Sequence, residues 1–190
     1  MPASLPKPHQ SPDAKATALP APVRLPPRFA AWFASRGWQP RPHQLALIEA
    51  SAARRSTLLI APTGAGKTLA GFLPSLIRLA GPKLTKEGAG LRTLYISPLK
   101  ALATDVARNL IAPISELGLK ITTETRSGDT SAARRQRQRT KPPQILLTTP
   151  EQVALLLSHP DAPYLFADLD TIILDELHAL AASKRGDLLS

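Results

Sequence analysis

The chain has 190 residues, 43% of them hydrophobic, no cysteine and a formal charge of +10. That length suits one domain with a sizeable core, while the missing cysteines exclude disulfides and thiolate metal sites. No apolar run approaches the ~18 residues of a membrane span, and the N-terminus lacks the apolar core of a secretory signal. The four histidines, at positions 9, 43, 159 and 178, have no metal-ligand spacing, so no zinc is expected. Charge is uneven: residues 126–141 carry six basic side chains against one acidic, and residues 142–190 two against seven. The basic stretch, with Arg134, Arg135, Arg137, Arg139 and Lys141, either attracts a polyanion such as nucleic acid or forms the solvated face of a helix.

Eight of the twenty prolines fall in the first 27 residues, so residues 1–26 are expected to be a disordered basic tail and residues 27–190 the folded domain. A short aromatic helix is predicted from Phe29 to Gly37 and a second from His43 to about Arg55. Strands are predicted near 57–61, 93–97, 120–125, 144–148 and 171–175. Helices alternate with them near 67–80, 99–111, 130–139 and 150–158, the pattern of a doubly wound α/β fold with a parallel sheet. Pro74 is expected to kink the helix containing it, and Gly81–Gly90 reads as an exposed loop.

Thr57-Leu58-Leu59-Ile60 reads as a buried strand, and Ala61-Pro62-Thr63-Gly64-Ala65-Gly66-Lys67-Thr68 follows it directly. A strand, a glycine loop and Lys-Thr opening a helix describe a triphosphate cradle. Backbone N–H groups from Thr63, Gly64, Ala65 and Gly66 onward face phosphate oxygens, Lys67 reaches the outer phosphates, and the Thr68 hydroxyl can ligate magnesium (Mg2+). Alone, the octapeptide also fits a chance glycine turn. A second motif stands 108 residues beyond Lys67: the apolar run Thr171-Ile172-Ile173-Leu174 ends in Asp175-Glu176-Leu177-His178, placing two carboxylates at the C-terminal end of a strand, where open α/β sheets hold ligands. Asp175 would hold the magnesium that bridges the outer phosphates, directly or through water, and Glu176 would orient and deprotonate the attacking water.

The variant with Ala61 in place of the usual first glycine resembles motif I of superfamily 2 helicases, and residues 29–190 are similar to a DEXH-box member of that superfamily. Gln44 resembles the glutamine that pairs with the adenine edge and so favours ATP. Ser97-Pro98-Leu99-Lys100 resembles motif Ia, and Thr149-Pro150-Glu151-Gln152 lies in a segment resembling motif Ib. Both follow predicted strands and can present hydroxyls, a helix N-terminus and Lys100 to a nucleic-acid backbone. Arg126-Ser127-Gly128-Asp129-Thr130 resembles the family's Gly-Asp turn beside the strand track. His178 lies where such helicases couple the nucleotide to the other motifs.

The aromatic Trp32-Phe33…Gly37-Trp38 entry, Leu94-Tyr95-Ile96-Ser97-Pro98-Leu99-Lys100-Ala101-Leu102, the Arg126–Arg139 segment and Asp175-Glu176-Leu177-His178…Lys184-Arg185-Gly186-Asp187 together narrow the resemblance to the bacterial large helicase-related (Lhr) group, and within it to the ligase-associated DEXH-box helicases. That resemblance implies a RecA-like P-loop NTPase domain, ATP and magnesium as cofactors, and single-stranded DNA as the 3′ to 5′ track. It also implies a link with DNA repair, with DNA ligase as a possible associate, in the bacterial cytoplasm at the nucleoid. Nothing in the residues excludes RNA, since backbone contacts do not read bases.

Such helicases close two RecA-like domains on ATP, the second supplying an arginine finger. The sequence reaches Ser190 before a Ser-Ala-Thr motif, a second domain or that finger. Without a finger, phosphoryl transfer slows by roughly 10³ to 10⁵, so the isolated chain is expected to hydrolyse ATP poorly and to unwind nothing. The strand leading to a Ser-Ala-Thr motif normally lies between the phosphate-loop and Asp-Glu strands. The isolated chain is therefore expected to lack a central strand and to be marginal in stability. Two other classes remain open: a non-catalytic nucleic-acid-binding module and a different P-loop enzyme such as a small kinase. Gln44 and the motif Ia and Ib segments argue against the kinase.

Overall fold

The computed structural model describes residues 24–62, 64–81 and 90–181. The predicted tail up to residue 23, Thr63, most of the predicted loop between Gly81 and Gly90, and Lys184-Arg185-Gly186-Asp187 lie outside the described residues. In chain order the elements are α1 (Pro27–Ser35), α2 (Pro42–Ala52), α3 (Lys67–Leu79), β1 (Thr93–Ile96), α4 (Lys100–Glu116), β2 (Thr123–Thr125), α5 (Ala132–Thr140), β3 (Ile145–Thr148), α6 (Pro150–Leu157), α7 (Ala162–Leu165), β4 (Thr171–Leu174) and α8 (Leu177–Ala181). The strands form one parallel sheet in the order β2-β3-β1-β4. None of the described helices is long and apolar enough to cross a membrane.

Alternation along the strands divides the core in two. Tyr95, Ile145 and Leu147 point to one face and pack with Phe29, Phe33, Phe72, Leu73, Leu76, Val106 and Leu110 from α1, α3 and α4. Leu94, Ile96 and Leu146 point to the other and meet Val153, Leu156 and Leu165 of α6 and α7. β1 and β3 are buried along their whole length, as central parallel strands covered by helices on both faces must be. Each fully buried Leu, Ile or Phe contributes about 1.5–3 kcal/mol relative to an exposed one.

Helix α3 runs unbroken through Pro74, which forfeits the bond to the Ala70 carbonyl. Its neighbours Phe72, Leu73 and Leu76 are fully buried, and that packing outweighs the lost bond. Pro113 likewise lies inside α4, which extends to Glu116, five residues past the predicted end.

The predicted strand at 57–61 forms no ladder. Leu58 is 67% exposed and Ile60 87%, so the apolar run is not buried. A strand needs a neighbour to take its N–H and C=O groups, and among the described residues β4, at the edge of the sheet, pairs only with β1. Ile172 and Leu174 on β4 are exposed as well.

Candidate functional site

Because all four strands are parallel, their C-terminal ends lie along one edge of the sheet. Strand order then arranges the predicted motifs in a row: Arg126–Thr130 after β2, Thr149–Gln152 after β3, Ser97–Lys100 after β1, and Asp175–Glu176 after β4. Backbone bonds stitch the neighbours together. Arg126 N–H donates to the Leu147 carbonyl at 2.8 Å, Ser97 N–H to Thr148 at 3.0 Å and Asp175 N–H to Ile96 at 3.0 Å.

The phosphate loop joins this edge through α3. Arg78 forms an ion pair with Asp170, and about two turns earlier a Cβ on Gly71 would sit 3.6 Å from Ile173. The helix therefore runs antiparallel to β4, with Lys67 and Thr68 toward Asp175. Gly64 and Gly66 adopt φ of 79° and 73°, the left-handed region that side chains avoid. Gly66 is the N-cap of α3 and supplies no side-chain cap, so the first N–H groups of the helix are left for an anion. Lys67 forms no ion pair with a described residue.

Gln44 is buried behind this loop. Its Oε1 accepts the Arg41 N–H at 2.9 Å, satisfying the backbone donor of the N-cap of α2. Its Nε2 faces the phosphate loop, 3.3 Å from where a Cβ on Gly66 would sit. The accepting half of the expected adenine contact is thus engaged within the protein, and the donating half remains.

Asp175 is held at both oxygens: Oδ1 accepts the Glu176 N–H at 2.9 Å and Oδ2 accepts the Tyr95 phenol at 2.5 Å. Burial, then the Asp175 carboxylate, push the Tyr95 phenol far above its ordinary value. Glu176 takes a left-handed φ of 49°, a conformation that non-glycine residues adopt mostly where the surroundings demand it. His178, 81% exposed, lies with Nδ1 3.4 Å from Glu176 Oε2. Thr68 and Asp175 offer hard oxygen donors, and each Asp175 oxygen keeps a further lone pair. Magnesium takes one or two protein ligands and completes its shell with phosphate oxygens and water, so this donor pair fits it. No group of three or more metal-ligating His, Cys, Asp or Glu side chains occurs among the described residues.

On the nucleic-acid side the predicted residues divide by exposure. Lys100 is exposed and forms an ion pair with Asp129, joining the turns after β1 and β2. Gly128 is exposed, and its carbonyl accepts from the Arg135 guanidinium. Ser97, Pro98, Thr149, Pro150 and Gln152 are buried, Thr149 as the N-cap of α6 without a side-chain cap bond and Pro150 in its first turn. Arg126 is only 5% exposed and donates from Nη1 to the Arg135 carbonyl at 3.3 Å. Burial, then Arg135 and Arg139, hold its guanidinium below the ordinary value. Arg126 therefore braces the Gly-Asp turn from beneath.

Helix α5 resolves much of the basic run into internal pairs. Arg134 and Arg137 bond Glu124 on β2 at 3.1 and 2.7 Å, and Arg139 bonds Asp161 at 3.3 Å. Sequence reasoning missed Glu124, Gln138 and Tyr95. For Tyr95 the available signal was a hydroxylated aromatic inside the apolar run Thr93-Leu94-Tyr95-Ile96.

Comparison with known proteins follows the same lines. The DEAD/DEAH box helicase family model matches residues 41–190. The chain is 43% identical over 173 residues to the Lhr helicase/probable uracil glycosylase of Mycolicibacterium smegmatis, covering 84% of this chain and 11% of that protein. The solved structure of Mycobacterium smegmatis helicase Lhr bound to ssDNA and AMP-PNP superposes with a TM-score of 0.78 at 40% identity, covering 86% of this chain and 22% of that one. The DUF1998 helicase MrfA bound to DNA and AMPPNP gives 0.72 at 34%, covering 85% and 22%. The chain thus spans about a tenth to a fifth of the length of these relatives.

Proposed function

This chain belongs to the DEAD/DEAH box helicase family, and from that premise we propose that it is the ATP-binding portion of an ATP-dependent DNA helicase or translocase. The reading includes 3′ to 5′ movement on single-stranded DNA and a role in DNA repair in the bacterial cytoplasm. The observation that carries it is the row of turns on one sheet edge, with the phosphate loop and Asp175-Glu176 at one end and Ser97–Lys100, Thr149–Gln152 and Arg126–Thr130 beyond. Nucleotide and strand are then gripped by neighbouring ends of the same rigid sheet.

In this reading the Gly64–Thr68 loop cradles the phosphates with its N–H groups and Lys67 neutralises the outer ones. Gln44 supports the loop and donates from Nε2 toward the base. Thr68 and Asp175 would hold magnesium, which when bound neutralises charge developing on the transferred phosphoryl group. Glu176 orients the attacking water and accepts its proton, while His178 holds Glu176 from the solvent side. Ser97, Pro98, Lys100, Arg126, Gly128, Thr149, Pro150 and Gln152 build and line the backbone track, with Lys100 the direct phosphate partner and Arg126 a brace.

DNA is favoured over RNA because the two solved relatives compared above carry ssDNA and DNA. Full turnover would call on a second RecA-like domain with its arginine finger, and an association with a DNA ligase rests on the narrower resemblance alone. The test is Lys67→Ala in the full-length gene product. It should lose ATP binding and DNA-stimulated turnover but keep its affinity for single-stranded DNA. A native protein whose ATP turnover single-stranded DNA fails to stimulate would refute the reading, and an unimpaired variant would favour a non-catalytic nucleic-acid-binding module.

A further inference from the structure

The sheet carries one phenol bonded to the carboxylate assigned to magnesium. We infer that Tyr95 is a positioning residue for Asp175, fixing its carboxylate in the orientation in which it meets the metal; this rests on the reading of Asp175 given above. Tyr95 is the sole aromatic among the described strands and is 1% exposed. Its ring stacks on Phe72 of α3 with centroids 5.4 Å apart and planes at 29°. That stack anchors it to the helix that begins with Lys67 and Thr68.

A buried hydroxyl without a partner is destabilising, so packing alone would be served by phenylalanine. The hydroxyl instead reaches across from β1 to the end of β4 and donates to Asp175 Oδ2 at 2.5 Å. With Oδ1 taken by the Glu176 N–H, the carboxylate plane is pinned at both oxygens. Groups that hold a metal-ligating carboxylate in this way set metal affinity, and losing one weakens it by about 10- to 100-fold. The Phe72 stack makes the same phenol a gauge between the carboxylate and the phosphate loop.

The test is Tyr95→Phe in the full-length gene product, which removes the hydroxyl and keeps the stacked ring. Binding of a fluorescent ATP analogue is titrated with magnesium and again in EDTA, beside thermal unfolding and an Asp175→Asn comparator. The expected result is metal-free nucleotide affinity within about twofold of native, a magnesium half-saturation raised about tenfold, and a thermal midpoint near native. An unchanged magnesium dependence in Tyr95→Phe, with Asp175→Asn impaired, would overturn the inference alone. So would a loss in which both affinities and the midpoint fall together, the mark of a merely structural role. Unaltered magnesium dependence in Asp175→Asn would overturn the reading of Asp175 itself, and the inference with it.

Discussion

Asp129→Asn tests how the strand track is held before nucleic acid arrives. Lys100 is the exposed cation of the turn after β1, and its ammonium is paired with Asp129 of the turn after β2. A phosphate that engages Lys100 must take it from that carboxylate. The two side chains are 55% and 72% exposed, and exposed pairs contribute about 0.2–1 kcal/mol. Removing the competitor should therefore tighten single-stranded DNA binding by about 1.4- to 5-fold at low salt. The gain should shrink as salt rises, because exposed charges are screened. It should also vanish in a Lys100→Ala background, which itself makes the salt dependence shallower by about 0.7 in the log–log slope, the loss of one phosphate contact on a single strand. Anisotropy of a labelled oligothymidylate, titrated with the full-length gene product without nucleotide, measures all three. Weaker binding by Asp129→Asn would mean that the aspartate is needed to hold the turn. A gain that persists without Lys100 would reduce the effect to overall charge. Either outcome refutes the competition.

Two further predictions concern the fold. Leu147→Ala, in a fully buried strand position, should cost about 2–5 kcal/mol in chemical denaturation, whereas Ile60→Ala, at 87% exposure, should stay within about 0.5 kcal/mol; equal costs would mean that residues 57–60 are buried after all. For Glu124, burial alone would raise the carboxyl, but bonds from Gln138, Arg134 and Arg137 outweigh it and hold the group below its ordinary 4.5. A group lowered on folding contributes stability present above its unfolded value and lost as pH falls through the folded one. Native stability should therefore drop with pH below about 4.5, and Glu124→Gln should flatten that part of the profile; an unchanged acid limb would remove Glu124 from the account.

Much of the fold was legible because its signals are local. Four of the five predicted strands form within one to three residues of their expected ends, since β-branched and leucine runs bounded by polar turns need only a covered sheet. The run at 57–61 had the same local signal and failed, because pairing depends on a neighbour that no local pattern reports. Pro74 misled in the opposite direction: its cost to α3 is real but smaller than the gain from burying Phe72, Leu73 and Leu76. The glycine loop and the Asp-Glu pair stand out in the sequence because the proposed phosphate chemistry calls for those residue types at fixed spacing. Tyr95 and Glu124 act through side chains ten or more residues away in sequence, and one sequence does not say which residues those partners are.

Strand order also separates what is rigid at this site from what is free to move. The four turns hang from backbone bonds between adjacent parallel strands, and Ser97, Thr148 and Arg126 are nearly or fully buried at those junctions. A displacement of one turn must therefore carry its neighbour or break a buried hydrogen bond, at about 1–3 kcal/mol for each group left unsatisfied. By contrast, the Lys100–Asp129 and His178–Glu176 contacts are made by exposed side chains and can change partners at a cost of about 1 kcal/mol or less. In the proposed reading the sheet edge thus fixes the distance between nucleotide and strand, and the side chains standing on it are the parts that can answer to either. Coupling between the two ends then has to travel either through the rigid row or through a buried side-chain path between β1 and β4, the Tyr95 phenol on Asp175. That is why removing a single oxygen from Tyr95 is informative: it leaves the row intact and cuts the path.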